Sequence, residues 1–185
     1  MIFFSKTSHT LIFSFSHLTI SPFTINRSPF TVHPLTVYRK TMPQNFFSDA
    51  QKAEIINAIQ AAERNSSGEI RVHIEKVCPM PDVLDRAAEV FAQIGMINTA
   101  QQNGVLFYLS IDDRKFAVLG DKGIDKVVPE NFWQSTKELL KSHFSQGQFT
   151  EGLVKGIHSA GEQLKHFFPY QSDDTNELPD DISFG

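Results

Sequence analysis

Apolar and polar residues follow two different periods along residues 42–185 of the chain. Apolar residues recur every three or four positions in several segments, which is the spacing of an amphipathic helix. This spacing predicts helices over about 48–64, after Asp82, after Pro129, and over about 150–167. Ser48 with Gln51 forms the signature of a capping box at the start of the first helix.

Three other segments have the pattern of strands. GEIRVHIE, 68–75, alternates strictly between aliphatic and charged or polar residues, which predicts a strand with one face buried and the other solvated. GVLFYLSI, 104–111, is apolar at nearly every position, as in a central strand covered on both faces. KFAVLGD, 115–121, follows the turn sequence DDR and predicts the hairpin partner of that strand. Helices before, between and after these strands predict an α/β fold, a layered domain with helices on both faces of a small mixed sheet.

This connectivity brings together polar residues that are far apart in the sequence. The first two strands are joined through a helix and are therefore predicted to be parallel, whereas the third is antiparallel to the second. The beginnings of the first two strands and the end of the third then share one edge of the sheet. The polar residues predicted at this edge, with the glycine that precedes the last of them, are Ser66, Ser67, Glu69, Asn103, Gly120 and Asp121.

Two carboxylates among hydroxyl, amide and backbone oxygens are suited to a hard cation, Ca²⁺ or Mg²⁺. Asp121 and Glu69 are the predicted metal ligands, and the other residues of this edge would surround them. The sequence leaves a structural alternative open for each ligand. Asp121 is also a suitable N-cap for a short helix after it, and Glu69 could be a solvated strand charge paired with a lysine. No catalytic residue is identified.

The two ends of the chain differ in composition from its body. Residues 1–41 contain four basic residues and no acidic one, and they are too polar for a membrane-spanning helix. A targeting leader and translation from Met42 are competing interpretations; either predicts a disordered segment outside the fold. The domain is predicted over 42–168. Residues 169–185 form an acidic tail, which is either a disordered end or a segment that docks on the domain or on a partner.

Charge and motifs exclude several classes of function. Residues 42–185 hold 13 of the 17 basic and all 21 acidic residues, a net charge of −8, which argues against nucleic acid as the main partner. A single cysteine, Cys78, excludes an internal disulfide and favours a cytoplasmic protein. The sequence contains no GxxxxGK[ST], GxSxG, HExxH or DxDx[TV] motif. It does not determine an oligomeric state.

Several separated motifs resemble one known family. SSGEIRVHIE, NGVLFYLSIDDRKFAVLGDKGI, Trp133 and HFSQGQFTEGLVKGI are similar, in this order, to segments of the TPM domain family. The family includes thylakoid-lumen proteins linked to photosystem II repair and many bacterial proteins, and the ending NELPDDISFG resembles that of its short soluble members. The resemblance runs from about residue 46 to 185 and implies an α/β/α sandwich of Rossmann-like layout.

The resemblance also implies an acidic divalent-ion site, reported as calcium in some members, at positions matching Glu69 and Asp121. An acid phosphatase activity has been proposed for plant members, but Gln102 replaces the arginine that commonly precedes Asn103. Three hypotheses follow. The leading one is a divalent-cation-binding module acting in protein assembly or repair through a protein partner. The alternatives are a metal-assisted acid phosphatase and an interaction domain that uses the acidic tail.

Overall fold

The computed structural model describes residues 11–14, 42–172 and 175–185. The helices are α1 (Asp49–Glu63), α2 (Val83–Gln93), α3 (Lys122–Asp125), α4 (Gln134–Phe144) and α5 (Phe149–Phe167). The strands are β1 (Leu11–Ser14), β2 (Glu69–Glu75), β3 (Gly104–Ser110), β4 (Lys115–Gly120) and β5 (Ile182–Phe184). Short 3-10 helices lie at Pro43–Asn45 and Met96–Asn98.

The strands form one mixed sheet in the order β1-β4-β3-β2-β5. β2 and β3 are parallel, with Ile70 opposite Val105, and β3 and β4 are antiparallel, with Val105 opposite Gly120. Both orientations confirm the sequence prediction. The sheet has one further strand at each side, because β1 pairs antiparallel with β4 and β5 pairs parallel with β2.

Helices cover both faces of the sheet, which confirms the predicted α/β fold. Ile70, Val72 and Ile74 of β2 belong to the larger hydrophobic core, which also contains the buried residues of α1, α4 and α5. Leu106 and Tyr108 of β3 belong to the smaller core, which α2 covers. β3 is buried along its whole length, as its continuous apolar sequence predicts.

Local sequence signals set most helix starts. Ser48 and Gln51 form the predicted capping box of α1, and Asp82 accepts a hydrogen bond at the start of α2. The helix predicted from Pro129 begins at Gln134 instead. Residues 129–133 form turns in which hydrogen bonds span three residues, and this brings Trp133, 1% exposed, into the core.

The terminal segments differ most from the sequence prediction. The polar face of β2 is not solvated: all seven residues of this strand are buried, because the acidic tail lies beside it and contributes β5. Of the two alternatives for the tail, docking on the domain is therefore the one observed. In the N-terminal segment Leu11–Ser14 form a strand of the sheet, in contrast to the expectation for that segment; its other residues, 1–10 and 15–41, lie outside the described residues.

Candidate functional site

Asp121 lies where β4 ends and α3 begins. Its backbone N–H donates to the carbonyl oxygen of Gly104 over 2.9 Å, and this bond fixes it beside the start of β3. Its Oδ1 accepts from the N–H of Lys122 over 2.7 Å, so the N-cap interpretation is correct. Its Oδ2 is buried and has no hydrogen-bond partner among the described residues. Burial raises the pKa of this carboxyl, which is 3% exposed. Capping therefore uses only one of the two carboxylate oxygens.

Asn103 resembles Asp121 in that one of its side-chain polar atoms is hydrogen-bonded and the other has no partner among the described residues. Its Nδ2 donates to the carbonyl oxygen of Ser67 over 2.5 Å, which ties the start of β3 to the start of β2. Its Oδ1 is buried and lacks a hydrogen-bond partner within the described segments. Ser67 and Asn103 line a cavity of about 330 Å³. Gly120, by contrast, faces the core, where an added Cβ would lie 3.2 Å from the ring of Trp133.

Glu69 is 5% exposed, but its carboxylate is bonded to the acidic tail. Oε1 accepts from the N–H of Glu177 over 3.0 Å and Oε2 from the N–H of Leu178 over 3.2 Å. Glu69 is thus buried against the tail and is not a solvated charge. The structure brings Asn103 and Ser67 into direct contact and holds Asp121 next to Gly104, whereas the side chain of Glu69 binds the tail.

A cavity of about 270 Å³ lies between the start of β2 and the tail. The residues that line it include Ser66, Glu63 and Glu69 from the domain and Asn176 and Asp180 from the tail. Burial, together with the carboxyl of Asp180 and the charge of Glu69, raises the pKa of Glu63 to about 9. Glu63 is therefore protonated at neutral pH. Glu63 lies at the end of α1, outside any motif, so no signal in the sequence marks it.

A second polar cluster lies at the opposite end of β2. Glu75 accepts two hydrogen bonds from Nε of Arg86, over 3.0 and 3.2 Å, and one from the hydroxyl of Tyr108 over 2.5 Å. Although burial raises the pKa of Glu75, the bonds from Arg86 and Tyr108 outweigh it and lower this pKa below its usual range. His73 lies nearby, its Nε2 3.6 Å from Glu75 Oε1, and burial lowers its pKa. The cluster is a compensated ion pair, and its signal in the sequence was the alternation of charges in RVHIE.

Carboxylates alone do not form a metal centre here. Across residues 11–14, 42–172 and 175–185, no three His, Cys, Asp or Glu side chains are arranged so that they could hold a metal ion. A cation at Asp121 would therefore need neutral oxygens, from amide side chains or the backbone, as its other ligands. Calcium accepts such ligands.

The profile of the TPM domain family matches residues 41–163, about two thirds of the chain. The chain belongs to the TPM domain family. The BA42 protein of the psychrophilic bacterium Bizionia argentinensis, solved by NMR, is 47% identical; the match covers 76% of this chain and 96% of that one, with a TM-score of 0.72.

Two more distant structures share the fold of this TPM domain. The N-terminal domain of a P. gingivalis protein is 22% identical over 68% of this chain and 82% of that one, with a TM-score of 0.56. The N-terminal domain of the cg2496 protein of Corynebacterium glutamicum is 11% identical over 84% and 93%, with a TM-score of 0.53. A comparison with curated proteins finds no match.

In the described part of the chain, no helix combines the length and the apolar character that crossing a bilayer requires.

Proposed function

We propose that this TPM-domain protein is a divalent-cation-binding module, with Ca²⁺ or Mg²⁺ bound at Asp121. The observation that carries the proposal is the buried Oδ2 of Asp121, which accepts no hydrogen bond from the described residues. An ionised carboxylate oxygen buried without a donor is unfavourable by several kcal/mol, and a cation removes this cost. The resemblance to family members linked to repair suggests that the module acts in protein assembly or repair.

The proposed ligands are hard oxygens. Asp121 supplies the charge, and Oδ1 of Asn103 is a second buried oxygen at the same edge that accepts no hydrogen bond from the described residues. Glu69 accepts an N–H from Glu177 at one carboxylate oxygen and from Leu178 at the other, so cation binding by Glu69 would be linked to the position of the tail. A site with one carboxylate and neutral oxygens binds calcium weakly, with a Kd on the order of 10⁻⁴–10⁻³ M.

The test is a calcium titration of the full chain followed by two-dimensional amide NMR, repeated with Mg²⁺. We expect saturable shifts at residues 103–104 and 120–123, and at least tenfold weaker binding in Asp121→Asn. Asparagine retains an oxygen that can cap α3, so the variant removes the charge while preserving the N-cap. Asp112→Asn is the matched control, because Asp112 lies in the turn at the opposite edge of the sheet and its side chain is 51% exposed.

A second readout is the free energy of unfolding. For a Kd of about 1 mM, about 10 mM Ca²⁺ should stabilise the protein by roughly 1.4 kcal/mol, and Asp121→Asn should reduce this gain to about 0.4 kcal/mol or less. Binding should weaken in acid, because burial raises the pKa of Asp121 and protons then compete with the cation. Shifts scattered over the surface, equal in both variants, would refute the proposal and leave Asp121 as a helix cap only.

A further inference from the structure

The acidic tail contacts the polar side chains of β2 one after another. The N–H groups of Glu177 and Leu178 donate to Glu69 at the start of the strand. Two positions further along, Arg71 forms an ion pair with Asp181. Both strand residues are 5% exposed, so the tail removes a carboxylate and a guanidinium from water.

The same sequence of contacts continues to the end of the strand. Nδ1 of His73 lies 2.8 Å from Oγ of Ser183. Gly185 packs against Glu75, where a Cβ added to this glycine would lie 2.7 Å from Oε1. Every polar position of β2 is therefore in contact with the tail, and a side chain added at Gly185 would require Glu75 to shift.

The tail is held by backbone hydrogen bonds and by side-chain contacts, and these two kinds of interaction differ in what they recognise. β5 adds to the edge of β2 in parallel, with Ile182 opposite Val72, and backbone groups supply much of the bonding. Such bonds bind any extended strand, whereas the pockets for alternate side chains select its sequence. Ile182, 9% exposed, fills an apolar pocket of the larger core, while Asp181 faces Arg71.

The tail does not satisfy every polar group of this surface. Nε of Arg71 and Nε2 of His73 are buried, yet neither has a hydrogen-bond partner in the described part of the chain. The side chain of Asp181 is 53% exposed, so it covers Arg71 only in part. A carboxylate can accept two hydrogen bonds from one guanidinium. Here the Nε donor of Arg71 has no acceptor among the described residues. The described residues of the tail thus leave two buried nitrogens of this surface without a hydrogen-bond partner.

We propose that the edge and polar face of β2 form a groove that binds an extended acidic strand of a partner protein, and that the tail occupies this groove within the chain. The partner strand runs parallel to β2. It carries a carboxylate opposite Arg71, an aliphatic residue opposite Val72 and a hydroxyl opposite His73. The groove is separate from the proposed cation site, because Arg71 and His73 are not among the proposed ligands. An experiment that refutes one of the two proposals therefore leaves the other intact.

The test uses two full-chain variants that weaken the docked tail. Ile182→Asp places a charge in the apolar pocket, and Phe184→Asp does so at a partly buried position of β5, where it is better tolerated if the first variant fails to fold. The probe is a synthetic peptide of residues 175–185, TNELPDDISFG, titrated while backbone amide shifts are recorded. We expect saturable shifts at residues 71–74 and at least tenfold tighter binding to either variant than to the unmodified chain, whose own tail competes.

Two matched controls test the recognition itself. A peptide with Asp181→Asn should bind at least fivefold more weakly, and Arg71→Gln in the Phe184→Asp background should weaken binding of the original peptide equally. Equal binding by both peptides, or no saturable binding at all, would overturn the proposal. So would tail amides that keep their positions in both variants, because the tail would then not exchange. If the unmodified chain forms a dimer that the peptide dissociates, the occupant is a second copy, and the proposal of a partner protein is wrong.

Discussion

The replacement of Glu63 by glutamine tests the protonated carboxyl beside the tail. Oε1 of Glu63 accepts the N–H of Ile70 over 2.8 Å, and glutamine can keep this bond through its amide oxygen. The folded-state pKa is about 9, compared with 4.5 in the unfolded chain. Between these two values the folded protein retains a proton that the unfolded chain has lost, so the stability of the wild type falls as pH rises.

The size of this effect follows from the pKa values. Each unit corresponds to about 1.4 kcal/mol, which gives an upper bound of roughly 6 kcal/mol across the whole window. From the unfolded-state value of 4.5 to pH 8 the window spans about 3.5 units, and allowing for relaxation of this partly buried site we expect roughly 3–5 kcal/mol at pH 8. Glu63→Gln removes the titration. The variant should therefore be close to the wild type near pH 4.5 and more stable than it by roughly 3–5 kcal/mol at pH 8.

The assay is urea unfolding of both proteins at intervals between pH 4.5 and pH 9. Glu54→Gln is the control, since Glu54 lies on the same helix but is exposed. The decisive quantity is the difference in unfolding free energy between variant and wild type as a function of pH. If this difference stays constant across the range, Glu63 is ionised in the folded protein, and the account of the cavity beside the tail is wrong.

Three further predictions concern packing and charge. Gly161→Ala places a Cβ 2.6 Å from the Cβ of Ala62 and should destabilise the protein by about 1–3 kcal/mol; Ala62→Gly in the same chain should restore much of this in a double-mutant cycle, and additive losses would refute the contact. Gly123→Ala would overlap carbonyl oxygens of the loop before β3 and should cost about 2 kcal/mol in thermal unfolding, where an unchanged Tm would contradict the close approach. Tyr108→Phe removes a donor to Glu75 and should cost about 1–2 kcal/mol at pH 7. Because the pKa of Glu75 is lowered in the fold, this loss should shrink as pH falls below about 4.5, which urea unfolding at pH 7 and pH 4 would show.

Local signals in the sequence predicted the central part of the fold. The strict alternation in β2, the apolar run of β3 and the capping box at Ser48 each depend on residues close together in the chain. The covering of β2 could not be predicted in the same way, because Arg71 and Asp181 are 110 positions apart and their pairing leaves no periodic trace. The short alternation in DISF was the only signal for β5, and three residues are too few to distinguish a strand from a loop.

The sequence predicted where the residues of the candidate site lie, but not which of their atoms lack hydrogen bonds. Topology placed Asn103 and Asp121 at one edge, and the structure agrees through the bonds to Ser67 and Gly104. Residue types could not show which acceptors remain unsatisfied, because this depends on the positions of single donors. Glu69 illustrates the point, since two tail N–H groups occupy the carboxylate that its position assigned to a metal.

The distance in sequence between β2 and β5 has a consequence for the order of folding. β5 pairs with residues that precede it by 110 positions, whereas β3 and β4 are joined by a short turn. Contacts that close long loops form late, so the hairpin should form first and the tail should dock last. During synthesis the edge of β2 is therefore bare until the ribosome has released residues 182–184. An unpaired strand edge is a site of misassembly, and a pause in translation before these residues should increase aggregation of the nascent chain.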